Sequence, residues 1–291
     1  MRWPIILLSP AKSLNFDAAL SSALAALTPT EPLLLEDVGV LTKDLAKLSK
    51  AQLKSLMGLS DGLAALNHER FGNFDAQPAR PVIGAFEGQA YKGLDAASLG
   101  AKELAYLQDS LRILCGLYGV LRPLDQIRPY RLEMGLKFAC AGKKSLYDYW
   151  GDRLTQMLAA EAKDSCPFVL NVASQEYAKS VDLGALGVPV VTACFPGPAV
   201  HAKTARGEMA RFCATRQLTD PAQLREFTGS SGNWAFVPSE SDESQLTFKR
   251  SAGGAAAAKA GAPMKAAQKK RAAEEEQESA PPAKSSGRKK R

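Results

Sequence analysis

The run Ile5-Ile6-Leu7-Leu8 is apolar at every position, the pattern of a strand buried on both faces, and it ends at Ser9-Pro10-Ala11-Lys12. Between Leu33 and Phe71 the period becomes helical. Leu41, Leu45 and Leu48 recur at spacings of four and three, Ser49 is placed to cap a second helix, and Ser60 or Asp61 a third. Val82 to Phe86 reads as a short strand. Leu104, Leu107, Leu111 and Leu114 make one stripe, so a helix is expected from about Ala101 to Cys115, stopping at Gly116. Leu146, Trp150, Leu154, Met157 and Leu158 mark another amphipathic helix. Phe168 to Val172 reads as a buried strand, followed by a short helix through Tyr177. Val188 to Phe195 is a further strand, Lys203 to Gln217 a helix, and Trp234 to Val237 with Gln245 to Phe248 a terminal hairpin. Strands and helices interleave, so the expected class is mixed α/β (α+β) in a single compact domain over residues 1–250.

After Arg250 the pattern disappears. Residues 251–291 hold Ala, Gly, Lys, Glu, Pro and Ser with no aromatic, too little apolar surface to offset chain entropy, and a disordered tail is expected. The tail carries ten basic groups against four acidic. The whole chain has 37 Lys plus Arg and 30 Asp plus Glu, so residues 1–250 keep 27 basic and 26 acidic groups. The basic character therefore belongs mainly to the tail. Its clusters Lys269-Lys270-Arg271 and Arg288-Lys289-Lys290-Arg291 read either as a contact for a nuclear import receptor or for polyanions, or as a solvated tail.

Composition removes several chemistries. Only His68 and His201 are available, and Cys115, Cys140, Cys166, Cys194 and Cys213 show no C-x-x-C, so zinc and iron–sulfur sites are disfavoured and no cofactor or metal is expected. Five scattered cysteines read as reduced, buried thiols in a cytoplasmic or nuclear compartment. No apolar run approaches membrane-spanning length, and no signal peptide is expected before Ile5.

Five clusters remain as candidate chemistry. Ser9 and Lys12 follow the first strand; Lys12 is either an anion contact or a solvated side chain. Gly116 and Gly119, with Arg122 after them and Arg128 nearby, offer either a phosphate-binding turn between two helices or a plain helix cap. Arg131 and Glu133 fall on one side of an extended stretch, able to pair structurally or to share a site. Asn171 inside a buried strand needs a partner, and Ser174, Glu176 and Tyr177 follow at the strand-to-helix turn. Lys203, Arg206 and Arg211 spread over the polar side of a helix whose other side holds Ala205, Met209 and Phe212.

In this order the clusters resemble the YaaA peroxide-stress family, also described as domain of unknown function 328 or UPF0246. The matching stretches are Leu8 to Leu14, Gly116 to Asp125, Pro129 to Gly135, Leu146-Tyr147 with Trp150 to Asp152, and Asn171 to Val181. Ala205-Arg206-Gly207 and Phe248-Lys249-Arg250 complete them, and together they span nearly all of residues 1–250. The resemblance implies a compact α/β domain with a basic cleft and a helix-hairpin-helix-like element, assigned here by position to Gly116–Pro123. It implies binding of duplex or bubble DNA, and a role in limiting free iron and oxidative DNA damage, with no reaction established. The short Phe195-Pro196-Gly197-Pro198 stands where the family usually has a β-hairpin, so an edge strand is expected to be missing.

Two functions compete. The first is a non-catalytic DNA-binding stress protein using Lys12, Arg122, Arg128, Arg131, Lys203, Arg206 and Arg211 with the two glycines, its binding weakened by salt. The second is an enzyme on a nucleotide or damaged base, with Glu133, Ser174, Glu176 and Tyr177 as candidate catalytic groups and Ser9 and Asn171 lining the cleft.

Overall fold

The computed structural model describes residues 3–251. At its centre is a seven-stranded sheet, comprising in chain order β1 (Ile5–Leu8), β2 (Leu111–Cys115), β3 (Gly119–Leu121), β4 (Val169–Asn171), β5 (Val190–Cys194), β6 (Trp234–Phe236) and β7 (Gln245–Arg250). They lie side by side as β6-β7-β5-β4-β1-β2-β3. The five from β7 to β2 are parallel, and β6 and β3 close the edges antiparallel. β1, β2 and β4 are buried at every residue, as strands covered on both faces must be. Burying one leucine fully contributes about 1.5–3 kcal/mol, so Leu7, Leu8 and Leu170 anchor the middle of the sheet.

The winding positions the site. Among the parallel strands, the first in the chain (β1) lies between the second (β2) and the third (β4). The chain steps one way from β1 to β2 and the other way through β4, β5 and β7. Right-handed crossovers place those two sets of connections on opposite faces. The segments leaving β1 and β4 therefore depart toward opposite faces from the carboxyl ends of these two strands, the position at which open α/β sheets take ligands.

The helices follow local rules. α1 (Leu35–Ala46) buries Val38, Leu41 and Leu45. α2 (Lys50–Met57) opens with a reciprocal capping box between Ser49 and Gln52 and ends at Gly58 in the left-handed region. α3 (Asp61–Gly72) is capped by the Ser60 hydroxyl. Then come α4 (Gln89–Leu94), α5 (Ala101–Ser110), α6 (Leu146–Trp150), α7 (Arg153–Ser165), α8 (Gln175–Ala178) and α9 (Ala199–Arg216). Among the described residues no helix is long and apolar enough to cross a membrane.

Several expectations are corrected. The leucine stripe is divided: Leu104 and Leu107 lie in α5, whereas Leu111 and Leu114 lie in β2, with Leu111 opposite Ile6 of β1. Arg112 ends the helix by donating to the carbonyls of Gln108, Asp109 and Leu111, and its charge is met by Glu161 of α7. Gly116 and Gly119 consequently sit in a turn between two strands, with Cys115 opposite Gly119, and not between two helices. Val82–Ala85 is a single helical turn, and only Phe86–Glu87 of that segment is a strand, paired with Ser13–Leu14. The helix expected across Leu146 to Leu158 is broken into α6 and α7 at Gly151 (φ 48°). The short Phe195–Pro198 segment leaves no open edge beside β5, because β7 pairs there in parallel and β6 follows it. The expected disordered tail and its two basic clusters lie outside the described residues.

Candidate functional site

Three segments meet at the carboxyl ends of β1 and β4. From β1 come Ser9 and Lys12; from β4, the turn through Asn171 to Ser174 and α8; across them lies Arg131–Gly135. Asn171 makes the turn: its Oδ1 accepts the Ala173 N–H at 3.0 Å and its amide reaches the Thr192 hydroxyl at 3.4 Å. Ser174 occupies the N-cap position of α8 without capping it. Its N–H instead donates to Ser9 Oγ at 2.8 Å, and the Ser9 hydroxyl donates to Ser174 Oγ at 3.2 Å. The ends of two neighbouring strands are thereby tied. The Tyr91 hydroxyl adds a third tie, donating to the Ser9 carbonyl at 3.1 Å.

Charge concentrates on Glu133, which is buried at 6% exposure. Its Oε1 accepts from Lys12 Nζ at 3.0 Å and from Arg131 Nη2 at 3.0 Å and Nε at 3.2 Å. Its Oε2 is buried and has no partner among the described residues. Lys12 stays largely in solvent, with 64% of its side chain exposed. Glu176, by contrast, is a fastener: its Oε1 accepts the Gly135 N–H at 3.0 Å, and its carbonyl accepts from the Tyr147 hydroxyl.

Beneath these groups lie Tyr91, Tyr130, Tyr177 and Cys115. The Cys115 thiol and the Tyr130 hydroxyl are 2.8 Å apart. Burial pushes the Cys115 thiol up to about 11 and raises all three tyrosines above their ordinary value. They are neutral at physiological pH, so none supplies an anionic nucleophile or base there. The other thiols are also free and raised by burial, Cys140 to about 11. Such thiols lack the lowered pKa of a peroxide sensor. Among the described residues no three His, Cys, Asp or Glu side chains are grouped to hold a metal ion.

The cations named from sequence divide sharply. Arg122 pairs with Asp125 and donates to the Glu31 carbonyl, Arg128 donates to the Asp75 carbonyl, and Arg211 reaches the carbonyls of Leu94 and Asp95 at the end of α4. These three hold loops and a helix end in place. Lys203 and Arg206, one turn apart on α9, have no hydrogen bond or ion pair among the described residues. Arg206 is half-buried; burial lowers its pKa, and nearby Cys194 at the end of β5 opposes that. Gly116 and Gly119 are buried, and a side chain on Gly116 would meet the Leu132 carbonyl at 2.5 Å, so these glycines serve close backbone contact.

Two features escaped the sequence reading. A tight two-helix hairpin does exist, but it is α2–α3, joined by Gly58-Leu59-Ser60. Its signal was Met57-Gly58-Leu59, a glycine between two apolar residues that are both buried. The second is the tie from α9 to the β1 loop. Thr204 reaches Gln89 at 3.4 Å, and a side chain on the adjoining Gly88 would meet the Ala11 methyl at 3.1 Å. This brings the unpaired cations of α9 to the same carboxyl end of the parallel strands as Ser9 and Lys12.

The family model for the peroxide stress protein YaaA matches residues 5–240. A UPF0246 protein of Maricaulis maris is 44% identical over 257 residues, covering 84% of this chain and 95% of the relative. One from Dinoroseobacter shibae is 45% identical over 260 residues, covering 84% and 94%. One from Burkholderia cenocepacia is 41% identical over 264 residues, covering 86% and 99%. The conjunction of matched residues 5–240 with such coverage places the chain in the YaaA peroxide stress protein family, UPF0246.

Proposed function

We propose that the protein acts in peroxide stress by binding DNA without reading its sequence, which limits iron-dependent oxidative damage to the bound strands. The observation that carries this reading is the pair Lys203 and Arg206. An unpaired guanidinium that is partly withdrawn from water forms strong contacts with a phosphate, because little hydration has to be displaced. Lys203, exposed one turn earlier, adds a second charge at the same end of the sheet. Lys12 extends the line by exchanging its Glu133 contact for a phosphate oxygen. The α2–α3 hairpin, rather than Gly116–Pro123, is the element whose backbone approaches a second phosphate. Arg122, Arg128, Arg131 and Arg211 hold the scaffold.

Duplex and bubble DNA binding of the Lys203→Ala/Arg206→Ala variant tests this reading. Binding at least about tenfold weaker than the parent is expected from the loss of two phosphate contacts. Unchanged affinity for both DNA forms would remove α9 from the interface.

A further inference from the structure

A cavity of about 110 Å³ lies between α9, the start of β6 and the end of β7, and its walls include His201, Thr204, Glu208, Trp234 and Arg250. Neither Lys203 nor Arg206 lines it. His201, Thr204 and Glu208 recur at spacings of three and four, so they share one face of α9. Trp234 opens β6 and Arg250 closes β7, and the two are directly paired, which puts their side chains on one face of the sheet.

Three groups around this cavity lack the partners their surroundings call for. Trp234 is 5% exposed, and its indole N–H meets no acceptor among the described residues, yet it is not sealed from solvent. A buried indole N–H is normally satisfied, as that of Trp150 is by the Gly116 carbonyl at 3.0 Å. Glu208 Oε1 accepts from the Ser230 hydroxyl, whereas Oε2 has no donor and the carboxylate no cation beside it among the described residues. Arg250 Nη1 donates to His201 Nε2 at 3.2 Å and meets no carboxylate. A guanidinium cannot accept, so His201 is the acceptor there; it steadies Arg250 and adds no charge of its own in that contact. Gly229 (φ 72°) lets two of these groups approach one another. A Cβ there would lie 2.7 Å from Trp234 Cδ1 and 2.9 Å from Glu208 Oε2, so the indole edge and the free carboxylate oxygen flank the same glycine.

The charges select the ligand. One cation, Arg250, and one anion, Glu208, line the same cavity without pairing with each other. A ligand of single charge would satisfy one of them and be repelled by the other, whereas a zwitterion matches both. Size narrows the class. A cavity of about 150 Å³ holds benzene, so the smaller volume here suits a ligand of roughly four to six heavy atoms.

We propose that this cavity binds a small free α-amino acid, its carboxylate on Arg250 and the Trp234 indole N–H and its ammonium group on Glu208 Oε2. The proposal does not rest on DNA binding, since Lys203 and Arg206 are not part of it. It assigns a ligand and no reaction.

The test is equilibrium binding to the full-length chain, with glycine, alanine, N-acetylglycine and glycinamide as probes. Glycine and alanine are expected to bind and to shift the indole N–H resonance of Trp234, identified by its loss in Trp234→Phe. N-acetylglycine lacks the ammonium group and glycinamide the carboxylate, so each should bind at least about tenfold more weakly. Glu208→Gln, which keeps the length of the side chain and an oxygen for Ser230, and Arg250→Met, at an exposed strand end, should each weaken glycine by a similar factor. Lys203→Ala/Arg206→Ala should bind glycine as the parent does. Four outcomes overturn the proposal: no binding of glycine or alanine at millimolar concentration, a Trp234 resonance that stays in place, equal binding of either blocked probe, or glycine affinity unchanged in Glu208→Gln and Arg250→Met.

Discussion

Gly93 of α4 and Gly207 of α9 press backbone against backbone. A Cβ on Gly207 would lie 1.7 Å from the Ala90 carbonyl oxygen, and one on Gly93 would lie 2.1 Å from that of Thr204. No side chain fits at either position, and the contact sets where Lys203 and Arg206 stand relative to the β1 loop.

Gly207→Ala should therefore be severely destabilising despite alanine's higher helix propensity. A loss of about 3 kcal/mol or more is expected, because backbone must move to admit the methyl group. Gly39→Ala, inside α1 with nothing within 4 Å of the new atom, should instead stabilise by about 0.5–1 kcal/mol. Denaturant unfolding of both variants checks the contrast, and equal effects would refute the contact.

Ser9 and Ser174 are not equivalent members of their pair. Ser9→Ala removes the acceptor of the Ser174 N–H and should cost about 1–3 kcal/mol. Ser174→Ala removes only a hydroxyl and should cost less than about 1 kcal/mol. Thermal melts of the two variants read the order, which a purely steric role would not produce.

The ion cluster predicts another ordering. Arg131→Ala leaves the buried Glu133 charge short of its closest guanidinium and should cost about 3 kcal/mol. Lys12→Met removes an exposed partner and should cost less than about 1 kcal/mol. Unfolding free energies in that order support Glu133 as a buried carboxylate; the reverse order would place its charge in solvent.

On the alkaline side, Cys115 and Cys140 titrate near 11 in the folded protein, above the ordinary thiol value of about 8.5. Between those values the folded state retains protons that the unfolded state has lost. Their stabilising contribution is present below about pH 8.5 and disappears as pH rises through 11. Tm measured from pH 8 to 11 should fall steeply, and alkylation of the native thiols near pH 7 should be slow.

The sequence makes some of this legible and hides the rest for physical reasons. Ile5–Leu8 and Val169–Asn171 stand out because a strand buried on both faces is uniformly apolar, and Ser49 and Ser60 because caps act locally. Leu111 and Leu114 mislead, since a doubly buried strand has no alternation and its leucines extend a helical stripe by coincidence. The Arg131–Glu133 pair was visible from a spacing of two, but Lys12 joins it through the fold. Gly93 and Gly207 lie in helices where only a partner backbone explains them. Which cations are consumed by scaffold contacts, as Arg122, Arg128 and Arg211 are, depends on carbonyls far away in the chain.

The central claim, that α9 holds phosphates, is tested most directly by the salt dependence of duplex binding in the full-length protein. The tail's own charge is removed from the comparison by replacing its Lys and Arg with Gln in every protein measured. Each lost phosphate contact lowers the slope of log affinity against log salt by about 0.9, so Lys203→Ala/Arg206→Ala should reduce it by about 2. A slope unchanged by the double substitution, or tail-neutralised protein that no longer binds DNA at all, would contradict the account.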